Sequence, residues 1–138
     1  MTGGMTEMLD WKCFGRTTRV YVAGPNTKGD PEANTHTAIL IGNKLFDWGY
    51  VPFIPHLTHY WHAIVERPYE DWLRLDSEWL VHCHVLLRFP GESSGAEREI
   101  VLMQKLMRPV YYDLVTLRRE VPTEVAELPE AWLETMPR

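Results

Sequence analysis

Apolar residues follow two rhythms along the chain. Arg19 to Pro25 holds a continuous run, Val20-Tyr21-Val22-Ala23, which predicts a short buried strand stopped by Gly24-Pro25. The turn formers of Asn26 to Ala33 predict a loop, and Asn34 or Thr35 is placed to cap the helix after it. Ala38, Ile41, Leu45 and Trp48 recur at helical spacing until Gly49 stops the pattern. Tyr50 to Ile54 predicts a second strand, closed by Pro55. A long loop follows, carrying His56, His59, Tyr60, Trp61 and His62. Pro68 suits a helix first turn, and Trp72, Leu75 and Trp79 share one face of a helix that runs to about His82. Val85 to Phe89 predicts a third strand, ended by Pro90-Gly91. Ser94 then starts a helix with Ile100, Met103 and Met107 on one stripe, and Pro109 to Tyr112 predicts a fourth strand. Thr123 is a candidate cap, and a short helix is predicted around Glu130 to Thr135.

Strands alternating with helices predict right-handed βαβ units on a parallel sheet. The expected fold is α/β: a three-layer, flavodoxin- or Rossmann-like parallel sheet of four to five strands, with helices on both faces. Residues 1–18 read as a leader and 19–138 as one domain. In such sheets the ligand sits beyond the carboxyl ends of the strands, where the strand order reverses. Two loops have that placement: Gly24-Pro25-Asn26 after the first strand, and Pro90 to Gly95 after the third.

Composition narrows the function classes. With 138 residues, 45% hydrophobic and 24% charged, the chain suits a single globular core. A net charge of -5 argues against a duplex-binding protein, which needs a basic face, but leaves room for a small nucleotide. No apolar run reaches the length of a bilayer span, and the N-terminus lacks the pattern of a secretory signal. Cys13 and Cys83 sit in unlike contexts, so no disulfide framework is expected and a reducing cytoplasm is the simpler setting.

Two carboxylates stand out. Asp76 has Trp72 and Trp79 as helical neighbours, and a carboxylate on an aromatic face is costly without a partner or a proton. Its pKa should rise, which suits an acid/base residue; the plain alternative is a pair with Arg74 at the edge of the stripe. Ser94-Gly95-Ala96-Glu97 fits a capping box, which gives Glu97 a structural task. Glu99 has no such task. It is either a solvated glutamate or a carboxylate held near a helix N-terminus, with a low pKa, ready to attack carbon. Two carboxylates from neighbouring βα units are the equipment of glycoside chemistry. Ser93, Ser94 and Gly95 open the same helix and form either an anion site suited to a 5′-phosphate or a simple cap. Tyr21 is either core or a phenol that holds the attacking carboxylate.

His56, His59 and His62 are spaced by three, and His82 and His84 flank Cys83. The ligand spacing of zinc motifs is absent, so neither metal nor cofactor is expected. Histidines and aromatics in a loop over a pocket suit stacking on a base.

Four segments, taken in order, resemble the nucleoside 2-deoxyribosyltransferase superfamily, especially its nucleotide N-glycosidase and deoxyribosyltransferase-like branch. They are Val20 to Pro25, Gly49 to His56, Asp76-Ser77-Glu78-Trp79-Leu80, and Ser93 to Glu99. The resemblance spans Arg19 to Tyr112. It implies that Glu99 is the nucleophile at C1′ of the sugar and Asp76 the carboxylate that assists the base. It implies that Tyr21 orients the nucleophile and that Ser93 and Gly95 line the phosphate side. Gly24, Pro25 and Asn26 would line sugar and base, with His56 at the border of the substrate. A homodimer or larger assembly is implied as well. The expected activity is hydrolysis of the N-glycosidic bond of a nucleoside 5′-monophosphate or nucleoside. Base exchange by a transferase, a nucleotide-binding sensor without catalysis, and a metal-bound interaction protein are the alternatives.

Overall fold

Val20, Tyr21, Val22 and Ala23 are all fully buried because strand β1 (Arg19–Ala23) lies inside a sheet covered on both faces. The computed structural model describes residues 17–137; most of the expected leader, with Cys13, lies outside the described residues. β1 pairs in parallel with β2 (Val51–Phe53) on one side and β3 (Val85–Arg88) on the other, and β3 pairs with β4 (Val110–Tyr111). The strand order is β2-β1-β3-β4, all parallel, as the alternating pattern predicts. Its direction of growth reverses between β1 and β3, which makes the carboxyl ends of those two strands the switch point.

Side chains alternate along β1, and each face builds its own core. Val20 and Val22, with Val85 and Leu87, pack against Ala38 and Leu45 of α1 (Pro31–Asp47) and Leu117 of α5 (Leu114–Glu120). Tyr21 and Ala23, with Leu86, face Leu80 of α3 (Tyr69–Leu80) and Ala96, Ile100 and Met103 of α4 (Ser94–Lys105). The three layers of the expected fold are therefore present. Tyr21 also points to the face where Asp76 of α3 and Glu99 of α4 are carried.

Several local expectations are corrected. The cap of α1 is Asp30, not Asn34 or Thr35: its carboxylate accepts from the N–H groups of Glu32 (3.1 Å) and Ala33 (3.4 Å), ahead of Pro31 in the first turn. Asn34 instead donates to the carbonyls of Asn26 (3.0 Å) and Lys28 (2.8 Å) and shapes the loop after β1. The stretch after β2 is no plain loop. It holds a 3-10 turn, Pro55–Leu57, and helix α2 (Thr58–Ile64), which buries none of its residues and so shows no apolar stripe to read. Met107 leaves the α4 stripe, because the helix stops at Lys105 and Met107 takes a left-handed φ of 59°.

Asp113 caps α5, accepting from Thr116 N–H at 2.7 Å. Thr123 caps no helix. Its hydroxyl accepts from Thr18 N–H (2.9 Å) and donates to the Gly49 carbonyl (3.3 Å), while Thr18 donates to the Pro122 carbonyl (2.8 Å). Thr17 likewise donates to the Glu124 carbonyl (3.0 Å), so both threonines are tied to the stretch after α5. The last helix, α6 (Glu130–Leu133), is shorter than predicted and buries no side chain.

Candidate active site

The site starts from backbone that only glycine allows. A Cβ on Gly24 would lie 2.3 Å from the Phe89 ring, so the chain leaving β1 packs directly on the chain leaving β3. Gly91 has a φ of 128°, and a Cβ there would meet the Pro25 ring at 2.4 Å. Arg88 fixes the second loop from within: its guanidinium donates to the carbonyls of Phe89 (2.5 Å) and Gly91 (2.7 Å) and pairs with Glu97 (3.2 Å). Above these loops lies a cleft of about 800 Å³, within the usual range for small-molecule sites. Gly24, Asn26, His56, Asp76, Ser93, Ser94, Gly95 and Glu99 all line it.

Asp76 and Glu99 line its floor, and Tyr21 lies fully buried behind Glu99. The Tyr21 hydroxyl donates to Glu99 Oε2 at 2.5 Å, a short contact of the charge-assisted kind. Burial, and then the charges of Glu99 and Asp76, hold the phenol well above its ordinary range, so Tyr21 remains a donor. Burial also pushes the Asp76 carboxyl up to about 7, and the charge of Glu99 adds to the rise. Glu99 is likewise raised to about 7 by burial, which corrects the expectation of a low pKa at the helix N-terminus. Glu99 lies in the second turn of α4, beyond the strongest part of the helix dipole, and desolvation wins. Only Glu99 has groups that favour its anion: the Tyr21 hydroxyl, then the charges of Arg98 and Arg88. Both carboxyls are raised and they titrate as a pair, and the groups that favour an anion lie on the Glu99 side.

Asp76 has no ion pair among the described residues; Arg74 bridges Asp71 instead, at 3.7 Å. One carboxyl oxygen of Asp76, Oδ1, is buried without a hydrogen-bond partner among the described residues. Glu97, two positions before Glu99, is exposed and pairs with Arg88, so it stands apart from the floor.

Capping falls one residue earlier than the sequence suggests. Ser93 is the cap of α4, its hydroxyl accepting from Ala96 N–H at 3.0 Å and donating to the Gly24 carbonyl at 3.5 Å. The Ser94–Glu97 capping box does not form, because Glu97 turns to Arg88. The backbone N–H groups of Ser94 and Gly95 lie in the first turn of the helix, where N–H groups have no carbonyl partner within the helix. Pro25 does not line the cleft; it packs against Gly91 and offers its carbonyl to His56.

The histidines divide by task. His56 is 2% exposed, and its Nε2–H donates to the carbonyls of Pro25 (2.9 Å) and Gly24 (3.2 Å), tying the end of β2 to the end of β1. His62 Nδ1 accepts from Trp72 Nε1–H at 3.0 Å and from Arg67 N–H at 3.2 Å. Trp72 also meets Trp61 edge to face, with ring centroids 5.1 Å apart. These contacts weld α2 to α3 and form the far wall of the cleft. His84 Nδ1 accepts from Arg19 N–H at 2.9 Å, away from the cleft. Among the described residues no group of three or more His, Cys, Asp or Glu is placed to hold a metal ion, and no helix is long and apolar enough to cross a membrane.

Sequence reading missed Lys28, Arg67 and Tyr69, which also line the cleft. Arg67 pairs with Asp71 at 2.9 Å, and the Tyr69 hydroxyl accepts from Arg98. All three lie in turns or at helix starts, where no periodicity singles a residue out.

No curated protein matches the chain. A family model described as Domain of unknown function (DUF4406) matches residues 18–112. That span takes in the whole sheet, both loops of the switch point and the Tyr21, Asp76 and Glu99 side chains, and the chain belongs to the DUF4406 family.

Proposed function

We propose that this domain hydrolyses the N-glycosidic bond of a nucleoside 5′-monophosphate or nucleoside, releasing free base and (deoxy)ribose 5-phosphate or the free sugar. The observation that carries the reading is the floor of the cleft. A glutamate that accepts from a phenol stands with a second buried carboxyl, Asp76, at the switch point of the sheet, and burial raises both carboxyls. The order of the four sequence segments that resemble the nucleoside 2-deoxyribosyltransferase superfamily supports the same chemistry.

In the first step Glu99 attacks C1′. The C1′–N bond breaks, its electron pair passes to the base nitrogen, and the proton of Asp76 goes to the departing base. In the second step water attacks C1′ and gives its proton to the Asp76 carboxylate, and the bond between C1′ and Glu99 breaks. Both carboxyls return to their starting states. Tyr21 donates to the attacking carboxylate and keeps it oriented. The Ser94 and Gly95 N–H groups receive the 5′-phosphate. If a second base attacks in place of water, the same floor performs base exchange.

The resemblance also implies a homodimer or larger assembly, which sizing by light scattering measures. The function is tested by incubating wild type and Glu99→Gln with ribo- and deoxyribonucleosides and their 5′-monophosphates, then separating free base by chromatography. Base from wild type alone supports glycosidic cleavage and names the substrate. If wild type frees no base, even with a second base added as acceptor, the proposal fails and a nucleotide-binding domain takes its place.

A further inference from the structure

Two buried side-chain polar atoms lack a hydrogen-bond partner among the described residues: His56 Nδ1 and Asp76 Oδ1. Both belong to residues that line the same cleft. The reaction proposed above uses Asp76 and leaves His56 Nδ1 without a task.

The chemistry of that nitrogen is fixed by its ring. Nε2 faces two carbonyls, Gly24 and Pro25, and can meet them only as a donor. The proton of the neutral ring is therefore on Nε2, and Nδ1 carries a lone pair. The His56 ring also lies 5.4 Å from that of Phe89, and its backbone is fixed by the carbonyl that accepts from Thr35. A rigid, buried acceptor with no donor is costly, and such atoms in folded proteins are ordinarily matched by something outside the chain.

We infer that His56 Nδ1 reads a hydrogen-bond donor on the ligand, so that the cleft selects nucleotides presenting an O–H or N–H at this point and rejects those lacking it. This rests on the nucleotide reading of the cleft, though not on its catalysis. Two sources on a nucleotide offer that donor, a sugar hydroxyl or a base N–H. Rejection should be steep, because a site built around a hydrogen bond leaves its own group unpaired when the ligand lacks the partner.

His56→Gln separates this role from the structural one. The glutamine amide can still donate to the Gly24 and Pro25 carbonyls, but it brings no nitrogen acceptor to the place of Nδ1. Binding is measured by calorimetry in a Glu99→Gln background, which removes turnover, using the four common ribonucleoside 5′-monophosphates and their 2′-deoxy and 3′-deoxy forms. Purine riboside 5′-monophosphate, whose base has no N–H, completes the panel. His56→Gln should keep the thermal midpoint and weaken the tightest ligand about tenfold or more. The analogue that lacks the donor being read should bind both proteins equally: a deoxy form if the donor is a sugar hydroxyl, purine riboside if it is a base N–H. Equal binding of every probe by His56→Gln and its parent would overturn the inference and leave Nδ1 to water. A uniform loss across all analogues would also overturn it, as would no binding of any probe by the parent. Binding without base release by wild type would sink the glycosidase reading alone.

Discussion

The Tyr21 hydroxyl donates to Glu99 Oε2 across 2.5 Å, joining the middle of the first strand to a helix 78 positions later in the chain. β1 can present Tyr21 to α4 because the residue pairs with Leu86 of β3, and both point to the face that α4 covers. The hydrogen bond lowers the pKa of a carboxyl that burial raises. Tyr21→Phe should therefore move the acid limb of the pH–rate profile for base release to higher pH and cut the rate at neutral pH about tenfold, the scale of a lost charge-assisted hydrogen bond. Base release across a pH series reads both. A slower enzyme with an unmoved acid limb would leave Tyr21 as packing alone.

Asp76 gives a stability prediction of opposite sense to the usual carboxylate. Its folded pKa, about 7, lies above the ordinary value, so the folded chain holds a proton that the unfolded chain releases near pH 4. Stability from this group is present at low pH and is lost as pH rises from about 4 to about 7. Asp76→Asn, uncharged at every pH, should match wild type near pH 4 and exceed it above pH 7 by about 1–2 kcal/mol, while base release is abolished. Chemical denaturation at pH 4.5, 6 and 8 checks this; a variant less stable than wild type at pH 8 would refute it.

The two central strands, β1 and β3, were legible because they are short apolar runs closed by Gly-Pro and Pro-Gly, the mark of strands buried on both faces. Tyr21, Asp76 and Glu99 were legible for a related reason: a polar group set among Val20, Trp72 or Ile100 breaks the pattern that packing demands. Helix α2 was not legible, since it rests one side on Trp72 without burying a residue. Nor was the choice of Ser93 over Ser94 as cap. It depends on Glu97 finding Arg88, and that contact reaches across two elements. The raised pKa of Glu99 needs the burial supplied by the folded cleft, and local sequence carries only the helix start.

Gly24 tests the switch point itself. Gly24→Ala would push a methyl group to 2.3 Å from the Phe89 ring, at the place where two strands hand over to their loops. The expected cost is about 1–3 kcal/mol, the range for overpacking a close contact. Phe89→Leu in the same chain should recover part of it by opening space. Urea unfolding of the two single variants and the double variant gives the coupling; strictly additive losses would mean that the ring is not what Gly24 accommodates.

His84 offers a separate pH signature outside the cleft. Burial, with the charges of Arg19 and Arg108, lowers its pKa to about 4, and its Nδ1 must stay unprotonated to accept from Arg19 N–H. The unfolded chain takes up that proton near the ordinary value of about 6.5. Between those values the unfolded state binds more protons, so the contribution of His84 to stability is lost as pH falls from about 6.5 toward 4. His84→Asn keeps an acceptor for Arg19 through its amide oxygen and carries no titrating group. Urea midpoints at pH 7 and pH 5 should show wild type losing more stability than His84→Asn over that interval. The carboxyl pair at Asp76 and Glu99 changes both proteins alike in the opposite direction and cancels from the comparison. Equal losses in the two proteins would place the proton of His84 elsewhere and remove its lone pair from the bond that starts β1.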